Sequence, residues 1–233
     1  MKSNSQVKVS IGLPVYNGEQ FIKKRIDSIL EQTYKNFELI ISDNASTDAT
    51  SDICNEYSKK DDRIQYIRHE KKMRLLENFN FVLQKARYDY FVWVAVDDYW
   101  HPEFLEKNMN ILLSNKNIIS SISRLQEFGD DVLNLEPDKN NTMLTRLFKK
   151  MGTRFMKFDM FTLSGSYEAK VRNYLKNFMC DMIYGVHRTN ELKKSFITEE
   201  FNGIDWAIDL NLLKFGDINV IDEILWYKYE SGI

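Results

Sequence analysis

Asp97 and Asp98 close an apolar run, Tyr90-Phe91-Val92-Trp93-Val94-Ala95-Val96. A buried strand needs apolar side chains along its length, and two carboxylates at its end add nothing to its packing. In an open α/β sheet the C-terminal edge of the strands is where ligands bind. Adjacent carboxylates in such a place repel each other unless a cation or a shared proton stands between them. Mg²⁺ takes oxygen ligands and is commonly held by one or two carboxylates together with substrate phosphates. The pair therefore reads as a site for a divalent cation and a phosphorylated ligand, with Asp97 and Asp98 as the metal ligands. The plainer alternative is an acidic strand-to-helix turn in which Asp98 or a neighbour caps the helix that follows Pro102.

Two further clusters fall at strand ends. Pro14-Val15-Tyr16-Asn17-Gly18-Glu19 leads from a strand into a helix, and the free backbone N–H groups of a helix start suit a base, ribose or phosphate. Its alternative is an ordinary turn. In Asp43-Asn44-Ala45-Ser46-Thr47-Asp48-Ala49-Thr50, the Asp43 carboxylate is placed to accept a hydrogen bond from a nucleobase imide. Ser46, Thr47 and Asp48 read as caps of the next helix. Cys54 reads as a helix core residue. His69, His101 and His187 lack the mutual spacing of a zinc site and read as structural.

These clusters need a scaffold, and the hydrophobic pattern supplies one. Val7, Val9, Ile11 and Leu13 alternate with Lys8, Ser10 and Gly12, which predicts a strand ending at Pro14. Phe21, Ile22, Ile26, Ile29 and Leu30 recur at helical spacing. Strands over Phe37–Ile41, Ile64–Ile67, Tyr90–Val96 and Ile118–Ile122 alternate with helices carrying Ile53 and Tyr57, Leu75 to Leu83, and Phe104 to Leu113. That alternation implies a mostly parallel sheet flanked by helices, an α/β fold. The regularity breaks near Gly129. Later, Ile183–Val186 reads as a strand, Asp205–Phe215 as a helix, and Val220 to Tyr229 as one strand or two. The expected organisation is a single domain over 1–233, with a ligand-binding half at 7–124 and a less regular half at 125–233.

The chain has 233 residues, 43% of them apolar, and a net charge of −2 from 32 basic and 34 acidic side chains. That balance argues for a sizeable core and against nucleic acid as the main partner. Two cysteines without ligand spacing fit a reducing compartment. The polar N-terminus lacks a signal sequence, and no apolar run approaches the ~20 residues of a membrane span. A cytoplasmic location, possible only as soluble or peripheral, is therefore expected. No Gly-rich phosphate loop of the dinucleotide or Walker type occurs, which weakens oxidoreductase and NTPase readings.

Taken together, Pro-Val-Tyr-Asn, Asp-Asn-Ala-Ser-Thr-Asp-Ala-Thr and the Asp-Asp pair before Trp100-His101-Pro102 resemble family 2 glycosyltransferases of the GT-A fold. The resemblance is clear over about residues 7–115 and continues loosely through Ile183-Tyr184-Gly185-Val186-His187-Arg188 and Gly203-Ile204-Asp205-Trp206. It implies that Pro14, Val15, Tyr16, Asn17, Glu19, Asp43 and Asp97 bind the nucleotide. It also implies that Asp97 and Asp98 hold Mg²⁺ or Mn²⁺ on the donor diphosphate, and that Asp205 is the catalytic base, with Asp209 one helical turn on as the alternative. Helix capping is the competing role for Asp205. The family's Asp-X-Asp signature reads Ala95-Val96-Asp97 here, so its first acid is missing. Where the family often has Asn-Leu-Gly, this chain has Lys72-Met73-Arg74, with Arg74 either on phosphate or simply exposed. Glu230 is a weak candidate for a further metal ligand.

The implied reaction moves a sugar from a UDP- or dTDP-linked donor to a glycan hydroxyl, with inversion, in surface polysaccharide or glycolipid synthesis. A sugar-1-phosphate nucleotidyltransferase and a catalytically idle nucleotide-sugar-binding module are the competing readings. Arg146, Lys149, Lys150, Arg154 and Lys157 alternate with Leu144, Leu147, Phe148, Met151, Phe155, Met156 and Phe158. This stretch, 144–158, reads either as an amphipathic helix packed on the domain or as a contact with an anionic membrane carrying a lipid-linked glycan acceptor.

Overall fold

The computed structural model describes residues 7–128, 160–177, 181–199 and 201–229. Segment 144–158, Cys180 and Glu230 lie outside them. The first half is a doubly wound α/β unit. β1 (Val9–Val15) and β2 (Phe37–Asp43) are buried at every position. They are central strands covered on both faces, where burial is continuous rather than alternating. Gly12 shows how tight the cover is, since a Cβ there would meet Phe91 Cζ and Val82 Cγ2 at 2.7 Å. β3 (Ile64–Arg68) pairs parallel with β2, and β4 (Tyr90–Trp93) pairs parallel with β1. Helices α1 (Glu19–Leu30) and α2 (Thr50–Lys60) pack together, while α3 (Leu75–Lys85) packs on β1 and β2.

The eight-stranded sheet has the order β3-β2-β1-β4-β7-β6-β8-β5. The second half adds β5 (Tyr99–Trp100), α4 (Phe104–Ser114), β6 (Ile118–Phe128), α5 (Tyr167–Asn177), β7 (Val186–Arg188), α6 (Thr189–Ser195), α7 (Ile204–Leu212) and β8 (Asp217–Tyr229). β7 runs antiparallel between β4 and β6, and β8 lies parallel to β6. β6 crosses residues 124 and 125, so both halves share one sheet. No helix among the described residues is long and apolar enough to cross a membrane.

Three elements differ from the expected pattern. β4 stops at Trp93, and the chain then turns through Val96 and Asp97. The two-residue strand β5 follows and pairs antiparallel with β8, Trp100 facing Trp226 and Tyr99 facing Tyr227. Met182–Tyr184 forms a single 3₁₀ turn in place of the expected strand start. The strand begins after Gly185, where the chain crosses β6 so closely that a Cβ would lie 3.0 Å from the Ser121 carbonyl oxygen.

Candidate functional site

The C-terminal edge of β1 and β2 is closed by two loops that hold each other. The backbone N–H groups of Asn17, Gly18 and Glu19 donate to Ser46 Oγ (2.9 Å), Thr50 Oγ1 (2.8 Å) and Asp48 Oδ2 (3.1 Å). In return, Asn17 Oδ1 accepts from the Thr47 N–H at 2.9 Å and Glu19 Oε2 from the Ala49 N–H at 3.0 Å. The expected free donors at the start of α1 are therefore taken by the neighbouring loop. Ser46 and Thr47 serve that lacing rather than capping α2, which starts at Thr50. Asp48 does both, since its Oδ1 accepts from the Thr50 N–H at 3.0 Å. Asn17 and Ala45 have positive φ (49° and 60°), a conformation that non-glycine residues hold only when the surroundings fix it.

Within this frame the nucleotide-binding candidates separate. Pro14 and Val15 are buried framework inside β1. Tyr16 is 41% exposed, with the Lys72 ammonium 3.6 Å from its ring centroid. Asp43 is fully buried, its Oδ1 accepting from the Ser46 N–H (2.8 Å) and its Oδ2 from the Tyr66 hydroxyl (2.7 Å). Asn44 clasps Met73 in both directions, Nδ2 to the carbonyl at 2.9 Å and Oδ1 from the N–H at 2.8 Å. That clasp sets the Lys72-Met73-Arg74 loop without a glycine. Arg74 is occupied by Glu77 at the start of α3.

The two adjacent aspartates have different surroundings. Asp98 is buried at 4% exposure, and both its oxygens are engaged by β8: Trp226 Nε1 donates to Oδ2 at 2.9 Å and the Tyr229 N–H to Oδ1 at 3.1 Å. It does not cap α4. Asp97 is half-buried, and among the described residues it accepts no hydrogen bond and makes no ion pair. Asp97 is thus the open carboxylate of the pair and Asp98 the one that fastens the turn to β8. Burial pushes the Asp98 carboxyl up to about 7; Arg25 opposes that shift and Asp97 adds to it.

The raised Asp98 value has a consequence for stability. Between the unfolded value of about 3.8 and the folded value of about 7, the folded chain keeps a proton that the unfolded chain has shed. Asp98 therefore contributes stability at low pH that is lost as pH rises through 7. The thermal midpoint of the metal-free chain should fall between about pH 4 and pH 7 and level off above that, and Asp98→Asn should flatten that fall. Parallel curves for the two proteins would refute the assignment.

Asp205 and Asp209 also part company. Gly203, at φ 87°, forms the N-cap of α7 and lets the chain turn sharply into it. Asp205, in the first turn, is half-buried and unengaged among the described residues. Asp209 is 1% exposed, and its Oδ2 accepts from the Tyr174 hydroxyl at 2.9 Å. Burial raises its pKa well above the carboxylate range. A group that takes a proton from a substrate must reach it, which favours Asp205 over Asp209.

Sequence reasoning missed Tyr184. Its ring packs on Trp226 at 5.4 Å. Burial raises its hydroxyl pKa, and Asp98, Asp181, Asp97 and Asp205 all push it in the same direction. Trp226 also donates to Asp98, and the turn that carries Tyr184 packs against both β4 and α7, elements far apart in sequence. Beside it, Lys228 of β8 holds Asp181 through both oxygens, at 3.0 and 2.9 Å. An acidic residue at Asp181 next to an aromatic strand was visible in the sequence, but its partners were not. No group of three metal-ligating side chains occurs among the described residues. His187 is buried, its Nε2 2.8 Å from the Ile183 carbonyl oxygen, and burial lowers its pKa to about 4.

Known proteins share this fold. The fold matches S. aureus TarS 1-349, solved in complex with UDP-GlcNAc, with a TM-score of 0.70 at 19% identity, covering 97% of this chain and 60% of that one. It also matches the mannosyltransferase PcManGT from Pyrobaculum calidifontis, solved with GDP-Man and Mn²⁺, with a TM-score of 0.62 at 13% identity, covering 96% and 58%. These likenesses establish a GT-A-like fold. In sequence, the chain is 32% identical over 111 residues to TuaG of Bacillus subtilis, a glycosyltransferase named for teichuronic acid biosynthesis, covering 48% of this chain and 44% of that protein. The chain spans less than half the length of the curated relatives it matches. A profile described as "Glycosyl transferase family 2" matches residues 10–178, well over half of the sequence, and the laced loops and the acidic turn both fall inside that match. The chain belongs to glycosyl transferase family 2.

Proposed function

We propose that this chain transfers a sugar from a UDP- or dTDP-linked donor to a hydroxyl of a glycan, with inversion at the anomeric carbon, in the synthesis of a surface polysaccharide or glycolipid. The observation that carries the reading is the Met182–Tyr184 turn, which packs against both β4, whose chain runs on to Asp97, and α7, whose first turn holds Asp205. Each side of that turn thus offers one carboxylate unengaged among the described residues, one for the donor diphosphate and one for the acceptor. Nucleotide donors held by the two structural neighbours, and the relative named for teichuronic acid biosynthesis, support it.

In this reading the laced loops form the nucleotide floor. Tyr16 offers its ring for a base to stack on. Asp43, fully buried and held by the Ser46 N–H and the Tyr66 hydroxyl, fixes the floor from beneath the base. Asp97, open and beside the fastened Asp98, is a fitting ligand for Mg²⁺ or Mn²⁺, ions that need only one or two protein carboxylates when a diphosphate completes the shell. The cation supplies charge neutralisation for the leaving diphosphate. Asp205 takes the acceptor proton as the hydroxyl oxygen bonds to the anomeric carbon from the face opposite the breaking sugar–phosphate bond. No covalent enzyme intermediate is required.

The test is release of free nucleoside diphosphate from a panel of nucleotide sugars, with Mn²⁺ titrated in and EDTA as the blank. Metal-dependent release from at least one UDP- or dTDP-sugar is expected. Pyrophosphate formation from a sugar phosphate and a nucleoside triphosphate would instead identify a nucleotidyltransferase. Tight nucleotide-sugar binding without any release would identify an idle binding module.

A further inference from the structure

Arg25 sits on the apolar face of α1 with Ile22, Ile26 and Ile29, and it is fully buried. Its guanidinium lies over the Trp100 ring, 4.5 Å from the centroid. Nη1 is 3.5 Å from Ser28 Oγ, at the outer limit of a hydrogen bond. Among the described residues Nε and Nη2 have no hydrogen-bond partner, and neither does the buried hydroxyl of Tyr99. A buried guanidinium without an ion pair is costly and calls for an explanation.

The explanation lies in what surrounds Trp100. Asp98 precedes it by two residues, and in extended backbone such residues share a side. Trp226, the cross-strand partner of Trp100, donates to Asp98. Guanidinium and acidic turn therefore belong to one buried layer, coupled through space rather than by contact. Burial lowers the Arg25 pKa to about 10, and Asp98, Tyr99 and Asp97, in that order, hold its charge against that loss. Ala95, where the related signature carries its first acid, removes a negative charge from the same turn.

We propose that Arg25 is the fixed counter-charge of the Asp97–Asp98 turn, and that it weakens the turn's hold on a free divalent cation so that the cation enters together with the donor diphosphate. This rests on the metal-dependent reading above. With both carboxylates ionised, the pair and one guanidinium leave the turn with about one net negative charge. A free divalent cation meets that reduced attraction, whereas a diphosphate brings the additional negative charge that the turn lacks. Arg25 is a positioning residue in this scheme and touches neither sugar nor acceptor.

The experiment measures Mn²⁺ binding to the purified full chain by electron paramagnetic resonance of the free ion, with and without UDP. The unmodified chain should bind Mn²⁺ weakly alone and more tightly with UDP. Arg25→Met keeps the volume and the packing on Trp100 but removes the charge. It should bind Mn²⁺ alone roughly tenfold more tightly, the scale of one elementary charge acting on a divalent ion across a partly buried gap. Arg25→Lys keeps the charge and should keep the original pattern. A cooperative thermal transition shows that Arg25→Met is folded before its Mn²⁺ affinity is compared. If that variant does not fold, Arg25→Gln carries the same expectation. An Arg25→Met chain whose Mn²⁺ affinity stays within about twofold of the original overturns this inference while leaving the metal reading intact. A chain that binds no Mn²⁺ even with UDP overturns both.

Discussion

Asp97→Asn should lower donor turnover by roughly 10²- to 10³-fold while leaving the fold untouched. The expectation follows from the contrast between neighbours. Among the described residues Asp97 engages nothing, so its replacement removes no bond seen there. Asp98 is fastened to Trp226 and Tyr229, and Asp98→Ala should destabilise the protein by about 1–3 kcal/mol, because two buried donors lose their acceptor. The measurement is nucleoside diphosphate release at saturating Mn²⁺, paired with thermal unfolding of both variants. Undiminished turnover in Asp97→Asn, or full activity of the unmodified chain in excess EDTA, would remove the cation from the mechanism.

The second large effect belongs to Asp205. Asp205→Asn should slow transfer by about 10²- to 10⁴-fold with little change in donor affinity, since a base acts on the acceptor and does not hold the nucleotide. Nucleotide affinity by calorimetry and transfer rate with a competent acceptor separate the two. Asp209→Asn serves as the counter-test. It disturbs the buried contact with Tyr174 and should act mainly on stability. If Asp209→Asn abolishes transfer in a folded protein while Asp205→Asn transfers normally, the base lies one helical turn further along.

Much of the parallel half was legible because its signals are local. Val9, Ile11 and Leu13 are all buried, as a central strand requires, and Asp43 and Asp97 follow strands that lie side by side with β1. What was not legible depends on partners far away in the chain. β5 is two residues long and exists only through β8. The 3₁₀ turn at Met182–Tyr184 looks like strand sequence, and the close crossing of Gly185 over β6 decides otherwise. The lacing of the first two loops hid donors that looked free. Asp97 and Asp98 looked equivalent until Trp226 and Tyr229 distinguished them. Arg25 carried one readable signal, a basic residue on a helix face otherwise made of isoleucines. Its meaning needed Trp100 and the acidic turn.

The bonds that fasten Asp98 span 128 and 131 residues of chain. Contacts that close so large a loop form late, because the chain must lose much of its freedom before they return anything. The two laced loops are different, since they are joined across about thirty residues. During synthesis the laced loops can therefore assemble well before the acidic turn is set. The same asymmetry applies in the finished molecule. Fraying of β8 alone would therefore slacken the acidic turn while the laced loops stay folded.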